Sequence, residues 1–282
     1  MASVDVLVAV RREDASRFYK NLTTQTEFRV QMVFDLREAM ATLSDPAQHV
    51  DVLVLDSQLG QVFAFINDLR LSFPRLFIVL VDEDADFGIP GQADEISTDP
   101  FTNQDLVRRI MRLMSDRQLE TLRADSLPAV RQFAKELRQA PAGETGKHQA
   151  AVAACKHLGY DYVGLYRLEA LEPIQLVLRA QDGAAELQAA APAQAAADDI
   201  VAWVAHKGQS RIAGPDDSPG YALVARGLMG TVACVPVVFG GNRFGVLAAC
   251  RQQPGSITQD NVLMLELVAA QLAAALSKEI VS

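Results

Sequence analysis

The N-terminal third of the chain alternates short, nearly continuous apolar runs with segments in which apolar residues recur at helical spacing. Four runs rich in β-branched residues predict buried strands, at residues 4–10, 49–57, 74–82 and 95–98. Between them, Leu36, Met40 and Leu43 recur at the spacing of one helix face. Strands that are apolar throughout and separated by helices are typical of a parallel sheet covered on both faces. We therefore predict an N-terminal α/β domain with a parallel sheet.

The C-terminal half has a different pattern, in which predicted strands follow one another as hairpins. Residues 161–168 and 174–180 predict one hairpin, and residues 230–239 and 243–250 predict another. The second hairpin turns at Gly240-Gly241-Asn242, a composition that favours a tight turn. Residues 198–207 predict a capped helix that ends at Gly208. This half is predicted to be an α+β domain with an antiparallel sheet.

A helical segment connects the two halves. Its apolar residues recur at helical spacing on either side of a break near residue 125, and include Leu106, Ile110, Leu113, Leu119, Leu122, Leu127, Val130 and Leu137. We predict an N-terminal domain at 1–115, a helical linker at 116–140 and a C-terminal domain at 141–282. An apolar stripe that leaves a domain must be buried somewhere, which favours pairing of the linker with a second copy of the chain.

Composition excludes several classes of function. The chain has 282 residues, half of them apolar, and a formal net charge of -9. The negative charge disfavours nucleic acid as a partner. The sequence also has no cluster of lysines and arginines that would form a binding face. Neither a signal peptide nor a membrane insertion is expected, because the start is not basic and the most apolar late run, 262–276, is too short to span a bilayer. We predict a cytoplasmic protein.

Cysteine and histidine positions predict neither a metal site nor a catalytic site. Cys155, Cys234 and Cys250 are far apart and lie in apolar runs, which is typical of buried thiols. The four histidines have no spacing with cysteines or acids that indicates metal binding. No catalytic residue, metal or cofactor is therefore predicted.

The residues at the ends of the N-terminal strands resemble those of a receiver domain, the phosphorylated part of response regulators in two-component systems. Asp56 ends the third strand, where receivers carry the phosphorylated aspartate, and Asp99-Pro100-Phe101 follows the fifth strand, where receivers have Lys-Pro-Phe. The resemblance covers residues 1 to about 115. It implies a doubly wound, parallel, five-stranded sheet with a site at the carboxyl ends of its strands.

Most of the groups that the resemblance implies are replaced in this chain. Arg11 or Arg12 stands where an acidic pair binds Mg²⁺, Val81 or Asp82 where a hydroxyl is expected, and Asp99 where the lysine is expected. Because Mg²⁺ requires carboxylates and waters, we predict a pseudo-receiver, a receiver-like domain that is not phosphorylated. Arg11 or Arg12 is predicted to pair with Asp56 and Asp99 in the space that metal and lysine leave. An unusual metal site built from Asp56, Asp82 and Asp84 is the alternative.

The C-terminal half is similar to a GAF domain in the order of its elements. Val235-Pro236-Val237, Phe244-Gly245-Val246-Leu247 and the helix ending at Gly208 match marks of that family. The resemblance implies a small-molecule pocket on one face of the sheet and helices, which often dimerise, on the other. The sequence has neither the Cys-His pair of bilin-binding members nor the cyclic-nucleotide signature. Five residues are candidates for the pocket: Tyr166, Arg179, Trp203, Arg211 and Tyr221.

The last helix is expected to present two apolar faces. Leu263, Leu267, Ala270 and Ala274 lie on one side. The other side is predicted either to pack on the sheet of its own chain or to form a homodimer seam, and the two can coexist. It comprises Val262, Leu265, Val268, Ala269, Leu272, Ala275 and Leu276.

Together these patterns predict a non-enzymatic signalling adaptor or sensor. Its pseudo-receiver docks a protein partner of a signalling pathway, and its GAF-like domain dimerises or binds a small ligand. Two alternatives remain open: a GAF-fold thiol enzyme such as a free methionine sulfoxide reductase, and a working receiver phosphorylated on Asp56.

Overall fold

The computed structural model describes residues 3–85, 93–124 and 128–281, without the side chains of 117–124 and 280–281. Leu119, Leu122 and Leu127 of the predicted linker therefore fall outside the described side chains. The chain divides into two compact units. The first comprises residues 1–70 and 75–120, and the second comprises residues 71–74 and 121–282.

The described residues of the first unit form five strands and four helices. The strands are β1 Val4–Ala9, β2 Phe28–Val33, β3 Val52–Asp56, β4 Phe77–Val81 and β5 Glu95–Ser97. The helices are α1 Ala15–Leu22, α2 Leu36–Ser44, α3 Val62–Ser72 and α4 Asp105–Ala124, with short 3₁₀ turns at Ser57–Leu59 and Thr102–Gln104.

All neighbouring strands of this sheet are parallel, in the order β2-β1-β3-β4-β5. This is the flavodoxin-like order of doubly wound folds, so the predicted fold class of the N-terminal half is confirmed. The apolar runs of the sequence predicted the bounds of four of these strands but not those of β2. An edge strand needs no continuous apolar run, and β2 has buried residues at its two ends, Phe28 and Val33, with partly or fully exposed residues between them.

The second unit contains the remaining elements. Its helices are α5 Pro128–Gln139, α6 Glu144–His157, α7 Ala185–Ala190, α8 Ile200–Lys207, α9 Ala222–Ala225 and α10 Gln259–Val281. Its strands are β6 Tyr162–Leu171, β7 Ile174–Gly183, β8 Arg211–Ala213, β9 Thr231–Phe239 and β10 Asn242–Arg251.

The second sheet is antiparallel throughout, in the order β7-β6-β10-β9-β8. The predicted hairpins are present, and the turn between β9 and β10 has positive φ at Gly240 and Gly241, a conformation that glycine adopts without strain. Asp199 accepts a hydrogen bond from the Val201 N–H, and Gly208 is left-handed (φ 72°), so α8 begins and ends as predicted. The predicted α+β class of this half is confirmed.

The helical layer on one face of this sheet buries both stripes for which pairing with a second copy was predicted, and α10 instead follows the alternative of packing on its own sheet. Val130, Phe133 and Leu137 of α5 are buried against α6 and α10 of the same chain, so this stripe is not left for a second copy. In α10, the predicted dimer seam is mostly core of the second unit: Val262, Leu265, Val268, Ala269, Leu272 and Leu276 are buried. The sheet beneath these residues already supplies the apolar surface that a partner would have supplied.

Helix α10 also differs from its prediction in length. Among the described residues, one helical segment, Gln259–Glu279, is long and apolar enough to cross a membrane by length and composition. The expectation that this segment is too short to span a bilayer was therefore wrong, because the helix extends beyond the apolar run 262–276. Its apolar face is accounted for by packing on the sheet.

Candidate functional site

The carboxyl ends of β1, β3 and β4 enclose a cavity of about 110 Å³ in the first unit. Asp56 lines this cavity at the end of β3 and is 5% exposed. Charged and aromatic residues from the neighbouring loops complete the lining, among them Arg11, Asp14, Arg17, Glu83 and Phe101. Carboxyl ends of adjacent parallel strands meet at one edge, which is why these side chains converge.

The Asp56 carboxylate is held by the backbone. Its Oδ1 atom accepts a hydrogen bond from the Gln58 N–H at 3.0 Å, which caps the turn at Ser57–Leu59. Burial raises the pKa of Asp56 above its ordinary value, and the nearby Asp14 and Glu83 carboxylates raise it further. The Gln58 hydrogen bond and the Arg11 charge oppose this rise in pKa. This environment is therefore less favourable for the charged form of Asp56 than water is.

The predicted ion pair between these arginines and Asp56 or Asp99 is not formed by the described residues. Arg11 instead contacts Glu13 and Asp14, each at 3.0 Å. The guanidinium of Arg12 lies 4.7 Å from the centre of the Phe34 ring. Glu13 and Asp14 lie close to Arg11 in the chain, and their carboxylates neutralise its charge locally. The carboxylates of Asp56 and Asp99 are farther along the chain.

Asp82 and Asp99 do not line the cavity. Asp82 Oδ1 accepts a hydrogen bond from the Asp84 N–H at 3.3 Å, and Asp99 is exposed. Within the described part of the chain, Asp56, Asp82 and Asp84 do not converge as metal ligands. The alternative metal site is therefore not assembled.

Val81 takes the place in which a receiver needs a hydroxyl. It lies opposite Asp56 in the register of β3 and β4 and contributes an apolar wall to the cavity.

Seven residues that line this cavity were not predicted to do so: Asp14, Arg17, Phe18, Ser57, Gln58, Glu83 and Phe101. The guanidinium of Arg17 lies 3.8 Å from the centre of the Phe101 ring, and Phe18 packs edge-on against the same ring at 4.9 Å. Arg17 and Phe18 belong to the start of α1 and not to a strand end. The pattern of residues at the strand ends therefore does not indicate them. They fix the aromatic residue that follows Pro100.

In the second unit, the structure brings two of the five pocket candidates together on the face of the sheet that α8 covers. The hydroxyl oxygens of Tyr166 and Tyr221 are 2.9 Å apart. Tyr166 also donates a hydrogen bond to the Pro192 carbonyl at 3.1 Å. Both tyrosines are at most 1% exposed, and burial is the main cause of their raised pKa values. They form a polar contact inside an apolar interior.

Trp203 and Arg211 form a second pair. The Arg211 guanidinium lies 4.8 Å from the centre of the Trp203 ring and is buried. Its Nη2 atom donates to the Ser218 carbonyl at 3.0 Å, whereas Nε and Nη1 are buried without a hydrogen-bond partner among the described residues. Burial lowers the pKa of Arg211. A buried cation with unpartnered donors favours an acceptor that reaches it.

Arg179 does not belong to either pair. It is the extra residue of a β-bulge, because Leu165 pairs with Ala180 and Tyr166 pairs with Leu178. Its Nη2 atom contacts Glu169 at 2.6 Å on the surface. The prediction that Arg179 faces the pocket was therefore wrong, since the bulge redirects its side chain.

A family model now decides the nature of the second unit. The model that describes the GAF domain matches residues 148–276. Residues 148–276 form a GAF domain. The match lies within the second unit, so the receiver-like assignment of the first unit depends on its sequence pattern and strand order alone.

Solved structures similar to this chain have low sequence identity to it. The free methionine-R-sulfoxide reductase from Neisseria meningitidis, solved with its substrate, is 18% identical with a TM-score of 0.47, covering 54% of this chain and 88% of that one. The GAF domain of an Acinetobacter phosphoenolpyruvate-protein phosphotransferase is 15% identical with a TM-score of 0.46, covering 54% and 93%. No curated protein matches the chain.

Asp199 is a buried acid of the GAF domain that the sequence analysis treated only as part of a helix cap. Its carboxylate accepts the Val201 N–H at 2.7 Å. Burial raises its pKa to about 6, and the neighbouring Asp198 adds to the rise. Tyr166 and Cys234 both lie close enough to Asp199 for its charge to raise their pKa values.

The three cysteines of the GAF domain are buried and not bonded to one another. Burial raises the pKa of the Cys155 thiol to about 12, and it also raises the pKa values of Cys234 and Cys250. The reactive species of a thiol is the thiolate, which these environments suppress at neutral pH.

Proposed function

We propose that this protein is a non-enzymatic signal-transduction adaptor in which a receiver-like domain docks a protein partner without being phosphorylated. The observation that carries the proposal is the environment of Asp56. Its nearest charged neighbours in the cavity include the acids Asp14 and Glu83, and the residue opposite it is Val81.

A phosphorylated receiver requires groups that neutralise phosphate oxygens. Phosphoryl transfer depends mainly on positioning and on such neutralisation, for which Mg²⁺ and a lysine are the usual means. In this chain the lysine position is Asp99, which is exposed, and Arg11 is already paired with two acids. A phosphate on Asp56 would meet the carboxylates of Asp14 and Glu83, and a further cation of the lining, Arg17, lies against the Phe101 ring. The domain is therefore proposed to keep one state.

The GAF domain is proposed to dimerise and to bind a small ligand. For dimerisation, α5, α6 and α10 leave a groove of about 210 Å³ with an apolar lining that includes Phe133, Leu158 and Met264. For ligand binding, Arg211 offers buried donors and favours a ligand with an anionic or carbonyl oxygen. The proposed dimer interface is therefore this groove, and not the buried face of α10 that was predicted from the sequence.

The thiol-enzyme alternative receives less support from the cysteines. A sulfoxide reductase that uses cysteines needs a thiolate in reach of a polar pocket. Cys155, Cys234 and Cys250 are each fully buried and have raised pKa values. We therefore propose that the GAF domain is a sensor or a dimerisation module, in a protein that acts in the cytoplasm.

Native mass spectrometry of the full chain, purified from its own host, tests the proposal. We expect a dimer, with excess mass if a ligand is retained. Met264→Glu places a charge in the groove and should shift the dimer to monomer, whereas Ala270→Glu, an exposed position of the same helix outside the groove, should not. A wild-type monomer with neither ligand nor partner would remove the GAF half of the proposal.

A second variant separates ligand binding from dimerisation. Arg211→Met keeps much of the length of the side chain and removes its donors. It should abolish a retained anionic ligand without changing the dimer mass. Retention of the same ligand by Arg211→Met would show that Arg211 does not hold it.

A further inference from the structure

A histidine and two aspartates meet at the other end of the N-terminal sheet, where β1 and β3 begin. Asp5 is the second residue of β1, Asp51 directly precedes β3, and His49 lies two residues before Asp51. The parallel register, in which Val6 pairs with Val52, places Asp5 beside Asp51. The group therefore lies at the opposite edge of the sheet from Asp56.

Backbone hydrogen bonds fix the two aspartates relative to each other. The Asp5 N–H donates to Asp51 Oδ2 at 2.9 Å, and the Asp51 N–H donates to the Asp5 carbonyl at 2.8 Å. His49 Nε2 lies 3.1 Å from Asp51 Oδ1. One potential ligand atom from each of the three residues lies within 4.8 Å of the other two.

The charges of Asp51, His49 and Arg29 all lie close enough to Asp5 to act on its carboxylate. An adjoining cavity of about 310 Å³, lined by Asp5, Arg29, Gln31, Gln48 and His49 among others, has room for water ligands.

We propose that Asp5, His49 and Asp51 bind a divalent transition-metal ion of the Zn²⁺ type, with water completing the coordination. One imidazole nitrogen with two carboxylate oxygens is a mixed donor set that suits Zn²⁺ and disfavours Mg²⁺, which prefers oxygen ligands alone. The ion would join the start of β1 to the loop before β3 and stabilise the first unit.

The contact between His49 and Asp51 is compatible with this site. Zinc-to-ligand bonds of 2.0–2.1 Å in a tetrahedron separate two ligand atoms by about 3.3 Å. The separation of 3.1 Å between His49 Nε2 and Asp51 Oδ1 is close to that value. Metal binding requires an imidazole whose Nε2 lone pair is directed to the ion.

Titration of the metal-free full chain with Zn²⁺, followed by calorimetry, tests the proposal. We expect one equivalent of Zn²⁺ per chain and a rise in thermal stability. His49→Ala and Asp51→Asn should each weaken this binding by about tenfold or more. His157→Ala removes an exposed histidine on α6 and is the matched control, which should bind as the wild type does.

A further variant tests the site without removing a ligand. Arg29→Ala deletes the opposing positive charge, so Zn²⁺ should bind more tightly. Circular dichroism establishes that each variant is folded. Absence of Zn²⁺ binding by the folded wild type would overturn the proposal, as would unchanged binding in folded His49→Ala and Asp51→Asn.

Discussion

Asp56, at the end of β3, lies directly opposite Val81, at the end of β4, in the parallel register of the N-terminal sheet. A receiver would place a hydroxyl near the aspartate at this point, and here the neighbour is apolar. Asp14 and Glu83 add negative charge to the lining of the cavity. The pair agrees with the proposal that Asp56 stabilises a loop through Gln58 and does not accept a phosphate.

Asp199 should make the stability of the GAF domain depend on pH. Its pKa in the folded chain is about 6, above the ordinary value of 3.8, so the folded state binds the proton more tightly than the unfolded state. The contribution of Asp199 to the free energy of unfolding should therefore be greatest below pH 3.8 and fall as the pH rises to 6, by up to about 3 kcal/mol. Denaturant unfolding across this range measures the effect.

Asp199→Asn should remove this dependence. Asparagine caps a helix about as well as aspartate does, so the variant should match the wild type near pH 4 and exceed it in stability at pH 7. Asp198→Asn, at the exposed neighbouring position, is the control and should change the profile little. If Asp199→Asn keeps the wild-type slope, the burial of Asp199 does not govern its titration.

The hydrogen bond between Tyr166 and Tyr221 should appear as an interaction energy. In a double-mutant cycle of Tyr166→Phe and Tyr221→Phe, we expect coupling of about 0.5–1.5 kcal/mol in the free energy of unfolding. The control cycle pairs Tyr221→Phe with Tyr160→Phe, whose hydroxyl instead donates to the Asn261 carbonyl. That cycle should be additive, and equal coupling in both cycles would argue against a specific contact between Tyr166 and Tyr221.

The cysteines should react slowly in the folded protein. All three thiols are buried, so a maleimide reagent should modify them only as fast as the GAF domain opens, and rapidly after unfolding. Gln253→Cys introduces an exposed thiol and serves as the positive control. Fast modification of a native cysteine in folded wild-type protein would revive the thiol-enzyme alternative.

Sequence patterns were sufficient for the fold and insufficient for many contacts. Apolar periodicity delimited β1, β3, β4 and the hairpins because burial imposes it. Tyr166 and Tyr221 were named as neighbours of one pocket and do meet. The direction of Arg179 depends on a bulge of one residue, which periodicity does not show.

Two other contacts depend on competition and on distance along the chain. Arg11 could have paired with several acids, and the structure selects Glu13 and Asp14 because they are local. Asp5 and Asp51 are 46 residues apart, and only the register of β1 with β3 brings them together. A search for spacing around His49 therefore missed Asp5.

The most direct test of the central claim is an intact-mass measurement of the full chain after incubation with acetyl phosphate and Mg²⁺. A receiver protein of proven activity in the same buffer is the control for the reagent. We predict no added phosphoryl group on the wild type, and none on Asp99→Lys, because the lysine alone does not restore the metal ligands. An added phosphoryl group on the wild type that is absent from Asp56→Asn would contradict the account.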